Sequence, residues 1–231
     1  MGKLFGVDGC TDVKQVGSLG AFLAQIAKNG MRIVPGFVIP VACKAGDGLS
    51  NEILRSFDQL GTDEVILRAS VVDDYDDGEV RRNVKRPHLL DEIVDFQYHL
   101  QKNGKTAAII VQKCLNAETM GRIYSINPAT RDSGEILIEA DLWSGKTVLS
   151  GESDSDMILI DKRSGAISME NKEEDDICLS LSQIELLHGM IRKIDRLCAF
   201  PAYAEWAFDR GKLYVLRLGP MSWDLYAEFN Q

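Results

Sequence analysis

No run of this chain approaches the length of a membrane-spanning helix, and the opening Met1-Gly2-Lys3-Leu4-Phe5-Gly6-Val7-Asp8 lacks the apolar core of a secretion signal. Cysteine is sparse and badly placed for cross-linking. The five residues (Cys10, Cys43, Cys114, Cys178, Cys198) are odd in number and never form a C-x-x-C pair. A disulfide frame and a zinc site are therefore excluded, and the cysteines read as free thiols of a reducing, cytoplasmic setting. There is no basic block: 26 Lys and Arg face 35 Asp and Glu, giving a net charge of −9. That balance excludes nucleic acid and the membrane surface as expected partners. The chain has no G-x-x-x-x-G-K-[ST] loop, no recognisable Ser-His-Asp arrangement, no internal repeat and no low-complexity tract. Acidic runs at 73–77 and 173–176 read as solvated loops.

What remains is ordinary globular material. The 231 residues are 45% hydrophobic, enough to build a core for one or two domains. Helical spacing predicts a helix over 17–29 with Ser18 as its cap, and another over 51–60 capped by Ser50 or Asn51. A third is predicted over 87–101, and a fourth over 182–198 with Ile184, Leu187, Ile191, Ile194 and Leu197 as its stripe. Short β-type runs are predicted at 33–40, 64–70, 107–114, 122–126, 135–140, 147–150 and 157–161. The order is mixed, then mostly β. The fold class is α+β, with two lobes, 1–104 and 105–231, and a crevice between lobes is a common place for a ligand.

One stretch organises the rest. From Ala204 to Gly219, apolar and polar residues alternate on either side of Asp209-Arg210-Gly211-Lys212, the pattern of a β-hairpin. A loop over 210–212 sets Glu205 across from Arg217. Glu205, Ala207, Val215, Arg217 and Gly219 then share one face, and Trp206, Phe208, Tyr214, Leu216 and Leu218 the other. The second face is core. The first sets a carboxylate against a guanidinium among small residues, where a ligand fits.

That hairpin resembles the closing "IEWA…g.LyiLQaRP" segment of the ATP-grasp module in phosphoenolpyruvate synthase, pyruvate phosphate dikinase and rifampicin phosphotransferase. Six further fragments follow in the family's order. Gly17-Ser18-Leu19-Gly20 resembles "vGGKxxsLgel", and Ile33-Val34-Pro35-Gly36-Phe37-Val38-Ile39 resembles "vPpGFvi". Ile66-Leu67-Arg68-Ala69-Ser70 is similar to "vAVRSS" and Ile109-Ile110-Val111-Gln112-Lys113 to "vvVQkM". Gly121-Arg122-Ile123-Tyr124-Ser125-Ile126-Asn127-Pro128 resembles "sGvlFtvnP". Ile138-Glu139-Ala140, then Thr147-Val148-Leu149-Ser150-Gly151, resembles "IEa..GlGe.vVsG". The resemblance implies an ATP-grasp-like two-lobed module that binds ATP and Mg²⁺ between its lobes and phosphorylates a histidine on a separate domain or a small molecule.

Residue by residue, the resemblance puts Arg68 on the phosphates, Gln112 and Lys113 beside adenine, Glu139 in the nucleotide-binding set, and Glu205 on Mg²⁺. For three of them a plainer role exists. Arg68 can pair with Asp73 or Asp74, Gln112 can be a strand-end polar residue, and Glu205 can simply pair with Arg217. The departures cluster at the chemistry. Gln15 stands where the family has its lysine, with Lys14 one position away as a substitute. Arg217 replaces the glutamine that shares Mg²⁺, and Gly219 replaces the family's arginine, so positive charge has moved along one strand face. A guanidinium accepts no bond and cannot ligate a metal; Arg217 would instead clamp phosphate or neutralise Glu205. Trp143-Ser144-Gly145-Lys146 stands for "GlGe", and the lid segment is reduced to Asp73-Asp74-Tyr75-Asp76-Asp77-Gly78.

The three histidines, His88, His99 and His188, fall on predicted helices rather than in a phospho-acceptor loop. By the resemblance, a phosphohistidine or pyruvate-binding protein is expected as a separate partner. Two functions follow: an ATP-dependent phosphotransferase module, or a binding, regulatory or partner-subunit protein that keeps the fold without the Mg·ATP chemistry. The tail over 221–231 is amphipathic enough to dock on the module or on a partner.

Overall fold

The computed structural model describes residues 3–44, 48–72, 79–142, 155–170 and 178–221. The chain divides into two compact units, Met1–Leu115 and Asn116–Gln231. The first contains β1 (Phe5–Gly6), α1 (Val13–Lys28), β2 (Gly36–Ile39), α2 (Ser50–Gln59), β3 (Glu64–Val71), β4 (Val80–Lys85), a 3₁₀ turn (Arg86–His88), α3 (Leu89–Lys102) and β5 (Ala107–Lys113). Its strands form an antiparallel sheet in the order β1-β2-β5-β3-β4.

Alternation along β3 and β5 decides how that sheet is covered. Val65, Leu67, Ala69, Ile109 and Val111 pack with Ile53 and Phe57 of α2 and Leu89, Ile93 and Phe96 of α3 in one core. Ala108 and Ile110 turn to the opposite face and pack with Val16, Ala21 and Leu23 of α1. The run at 107–113, read from sequence as the start of the second lobe, is thus the central strand of the first sheet. A strand buried on both faces shows as a continuous apolar run, and such a run carries no sign of which unit owns it.

α1 begins earlier than its periodicity implies. Asp12, not Ser18, is the cap, its carboxylate accepting the Lys14 N–H at 3.0 Å. Gly17 then breaks the helix with φ +70°, and the Ser70 Oγ accepts the Gly20 N–H at 2.9 Å. A Cβ at Gly17 would lie 1.9 Å from the Ser70 carbonyl oxygen. Both the backbone angle and the close approach demand glycine. Gly17→Ala is expected to cost about 3 kcal/mol or more, read as a fall in the urea midpoint. A loss under ~0.5 kcal/mol, the range of an ordinary surface change, would mean that α1 is not seated this way.

The second unit contains β6 (Thr119–Tyr124), β7 (Glu135–Leu142), β8 (Asp156–Asp161), β9 (Ile167–Glu170), α4 (Leu181–Leu197), β10 (Ala202–Asp209) and β11 (Lys212–Pro220). These strands form a second antiparallel sheet in the order β11-β10-β6-β7-β8-β9. Ser180 and Gln183 close a capping box at the start of α4, which buries Ile184, Leu187, Ile191 and Ile194 as expected. With two antiparallel sheets and four α-helices among the described residues, the fold is α+β.

Three strands went unread in the sequence. β1 and β9 are short, and β4 is a charged edge strand with Val84 as its only buried residue. The strand expected at 147–150, Trp143 to Lys146, the lid segment at 73–78, the acidic run at 173–176 and the tail from 222 onward lie outside the described residues. None of the five cysteines is in a disulfide. Burial pushes the Cys114 and Cys198 thiols up, and burial with the Asp156 carboxylate carries Cys178 to about 12; these are not reactive thiolates. Among the described residues, no helix is long and apolar enough to cross a membrane.

Candidate functional site

The closing hairpin turns through Arg210 and Gly211, both at positive φ (51° and 67°), with Asp209 paired to Lys212. That is a two-residue loop, one residue shorter than the sequence pattern suggests, and it fits the twist of the flanking strands. By itself it would put Glu205 opposite Leu216. A register shift between Glu205 and Trp206 absorbs one residue of β11, however, and Glu205 faces Arg217 as expected. The shift also corrects the face assignment near the turn. Val215 pairs with Trp206 on the core side and is 1% exposed, while Tyr214 pairs with Ala207 on the Glu205 side.

The Glu205 row continues across the sheet. Arg217 of β11 pairs with Glu205 of β10, Glu205 with Arg122 of β6, and Arg122 with Glu139 of β7. Four successive strands carry Arg, Glu, Arg, Glu at one level, all on one face, with exposures of 7, 4, 7 and 9%. Directly opposed Cβ atoms in such pairs are about 5 Å apart, so each charge has an opposite charge as its cross-strand neighbour. The row carries no net charge.

Aromatic residues bracket it. Arg217 Nη1 lies 3.8 Å from Glu205 Oε1, and its guanidinium carbon sits 5.4 Å from the centre of the Tyr203 ring. The Tyr124 hydroxyl donates to Glu139 Oε2 at 3.1 Å, and the Tyr124 and Tyr203 rings are 6.3 Å apart. Burial first, then the Glu139 carboxylate, drives the Tyr124 hydroxyl far above its usual range, with Arg122 acting against them. Tyr124 is a fixed neutral donor. A Cβ at Gly219 would lie 3.0 Å from Tyr203 Cε1. The ring therefore stands where a side chain at 219 would begin, and the same ring lies against the Arg217 guanidinium.

This donor set does not suit Mg²⁺, which takes oxygen ligands in near-octahedral geometry. Glu205 is flanked by two guanidinium residues that offer no lone pair, and Glu139 is engaged by Tyr124. Among the described residues, no group of three or more His, Cys, Asp or Glu could hold a metal ion. The row is suited to something else: guanidinium N–H donors held in place by carboxylates at low exposure.

The first unit holds the remaining residues that the family pattern singled out. Arg68 pairs with Ile110 across β3 and β5, which places it on the α1 face of the sheet, and Gln112 lies on that face as well. The Gln112 side chain is 3% exposed and its Nε2 donates to the Val34 carbonyl at 3.0 Å, bracing the segment before β2. Lys113 alternates to the opposite face, with Val111. Lys14 is exposed in the first turn of α1, and its neighbour Gln15 donates to Asp12 Oδ2 at 2.8 Å.

Sequence reasoning missed Arg122 and Tyr124. Both lie in the fragment that resembles "sGvlFtvnP", where the family carries an apolar residue and a phenylalanine. A charged residue inside an otherwise apolar strand was the available signal.

Residues 96–224 match the family model for the pyruvate phosphate dikinase AMP/ATP-binding domain. A probable phosphoenolpyruvate synthase of Methanocaldococcus jannaschii is 29% identical over 138 residues, which is 50% of this chain and 12% of that protein. The chain thus spans only a small part of that relative's length. Among solved structures, Rhizobium etli pyruvate carboxylase aligns with 90% of this chain and 16% of its own at a TM-score of 0.54 and 14% identity. The biotin carboxylase domain of Hydrogenobacter thermophilus 2-oxoglutarate carboxylase, solved with Mg·ADP, aligns with 85% of this chain and 38% of its own at a TM-score of 0.51 and 14% identity. At these identities the likeness concerns the fold, which is ATP-grasp. Because the matched segment is more than half of the chain, this protein belongs to the pyruvate phosphate dikinase AMP/ATP-binding domain family.

Proposed function

We propose that this chain is a nucleotide-binding module of the phosphoenolpyruvate synthase type that receives the ATP phosphates on arginine rather than on magnesium. The observation that carries this reading is the buried Arg217-Glu205-Arg122-Glu139 row. It occupies the position where the family resemblance puts a metal-binding carboxylate, and its charges are already balanced. A guanidinium presents two parallel N–H groups to phosphate oxygens and cannot lose its proton, so it can hydrogen-bond a phosphate without a metal cation. In this reading Arg217 contacts phosphate; the family resemblance separately assigns Arg68 to phosphate, Lys14 to further positive charge and the Gln112-Lys113 backbone to the adenine. Glu205 and Glu139 hold the arginines in place.

Phosphoryl transfer depends on positioning and on charge stabilisation as the bond breaks. With Glu205 engaged by arginine, the module holds nucleotide and transfers phosphate slowly. Family membership favours a partner for any transfer that persists, a separate phosphohistidine or pyruvate-binding protein. Replacing either Arg68 or Arg217 with alanine is expected to weaken ATP binding about tenfold or more, measured by titration calorimetry in EDTA. Unchanged affinity in both variants would remove the arginine clamp from the account.

A further inference from the structure

On the opposite face of the second sheet, a cavity of about 300 Å³ lies between α4 and the ends of β6 and β7. Its apolar part is Ile136 and Ile191, and the rest is His188, Arg192, Asp195 and Arg196 of α4 with Lys162 and Ser125. Three cations thus face one carboxylate, in a chain whose net charge is −9. The ion pair inside it is loose, with Lys162 Nζ 3.7 Å from Asp195 Oδ2. Arg196 is partly fixed, because its Nε donates to the Arg192 carbonyl at 3.0 Å. Ser125 is fully buried beneath the cavity and accepts the Ala202 N–H at 3.0 Å.

The geometry points to a second ligand site here, for a small phosphate oxyanion held by Lys162, Arg192 and Arg196. The volume is at the lower end for small-molecule pockets, which suits inorganic phosphate or a short phosphate ester and not a whole nucleotide. The site stands apart from the Glu205 row, because Ser125 and Ile136 alternate away from Tyr124 and Glu139 along their strands.

His188 provides the readout. Burial, and then Arg192, hold its imidazole below the usual histidine range, and an anion beside Arg192 reverses the second effect. The test follows the three histidine imidazoles by NMR through a pH titration, with His188→Gln for assignment. Inorganic phosphate, glycerol 3-phosphate and chloride are compared at matched ionic strength. Phosphate or the ester is expected to raise the His188 pKa by about half a unit or more over chloride. In Arg192→Gln/Arg196→Gln, a change at two exposed positions, the concentration needed for that shift should rise about tenfold. A stronger response to glycerol 3-phosphate would identify an ester as the ligand class, and a stronger response to phosphate the free ion. Identical titration in all three salts, or a shift that survives in the double variant, overturns the site.

Discussion

Arg122→Met is expected to destabilise the protein by about 3–5 kcal/mol, the largest loss from any single charged side chain in the sheet. Arg122 is the inner cation of the row and is paired across the sheet with both carboxylates, Glu205 on one side and Glu139 on the other. Methionine retains much of its length and apolar stem, so the change removes charge and hydrogen bonds more than volume. Two carboxylates under ten percent exposed then lose the cation between them, and Arg217 neighbours Glu205 but not Glu139. Burial of an uncompensated charge, not the net worth of the ion pair, sets the size of the effect. For a domain whose total stability is on the order of 5–15 kcal/mol, the variant sits near the edge of folding. Glu139→Gln added to Arg122→Met should restore about half of the loss, because it removes one of the stranded charges. Equilibrium urea unfolding of the single and double variants measures both. A single variant within ~1 kcal/mol of the parent would mean that Arg122 is solvated rather than held between the carboxylates.

A second large effect is expected in the opposite direction, as a gain. Replacing Arg217 with glutamine gives the row a net charge of −1 and restores an oxygen donor beside Glu205. The family pattern also asks for arginine at 219, but the Tyr203 ring lies within 3.0–3.5 Å of where that side chain would start. Arg217→Gln/Gly219→Arg alone should therefore gain little, since the tyrosine must first move. Adding Tyr203→Ala clears the space. The triple variant is expected to bind ATP at least about tenfold more tightly with Mg²⁺ than in EDTA, as seen by calorimetry. If it remains insensitive to Mg²⁺, the altered positions are not what closes the metal site.

Much of the fold was legible in the sequence because its signals are local. The stripe on α4 and the apolar runs of β3, β5 and β7 state their own period and ends. What was not legible depends on partners distant in the chain. Nothing in Val80–Lys85 reports that it edges a sheet, since only Val84 is buried. Gly17 looks like part of a helix until Ser70 is packed against it. The Glu205-Arg217 pair could be read because a hairpin is local. Even so, a shorter turn and a bulge reached the same register by another route. Arg122 and Glu139 could not be joined to that pair, because their relation requires the strand order β10-β6-β7. Charges that alternate across four strands leave no alternation along any one of them.

The central claim is that Glu205 is engaged by arginine and that nucleotide binding, in consequence, does not depend on a metal. Calorimetric titration of the intact chain with ATP, once in Mg²⁺ and once in EDTA, tests it most directly. The account predicts binding in both, with affinity in EDTA equal to or greater than that in Mg²⁺, because free ATP presents more negative charge to the arginines. Binding that is about tenfold tighter or more with Mg²⁺ would show that a metal site forms despite Arg217, and absence of binding at millimolar ATP would show that this chain does not receive the nucleotide at all.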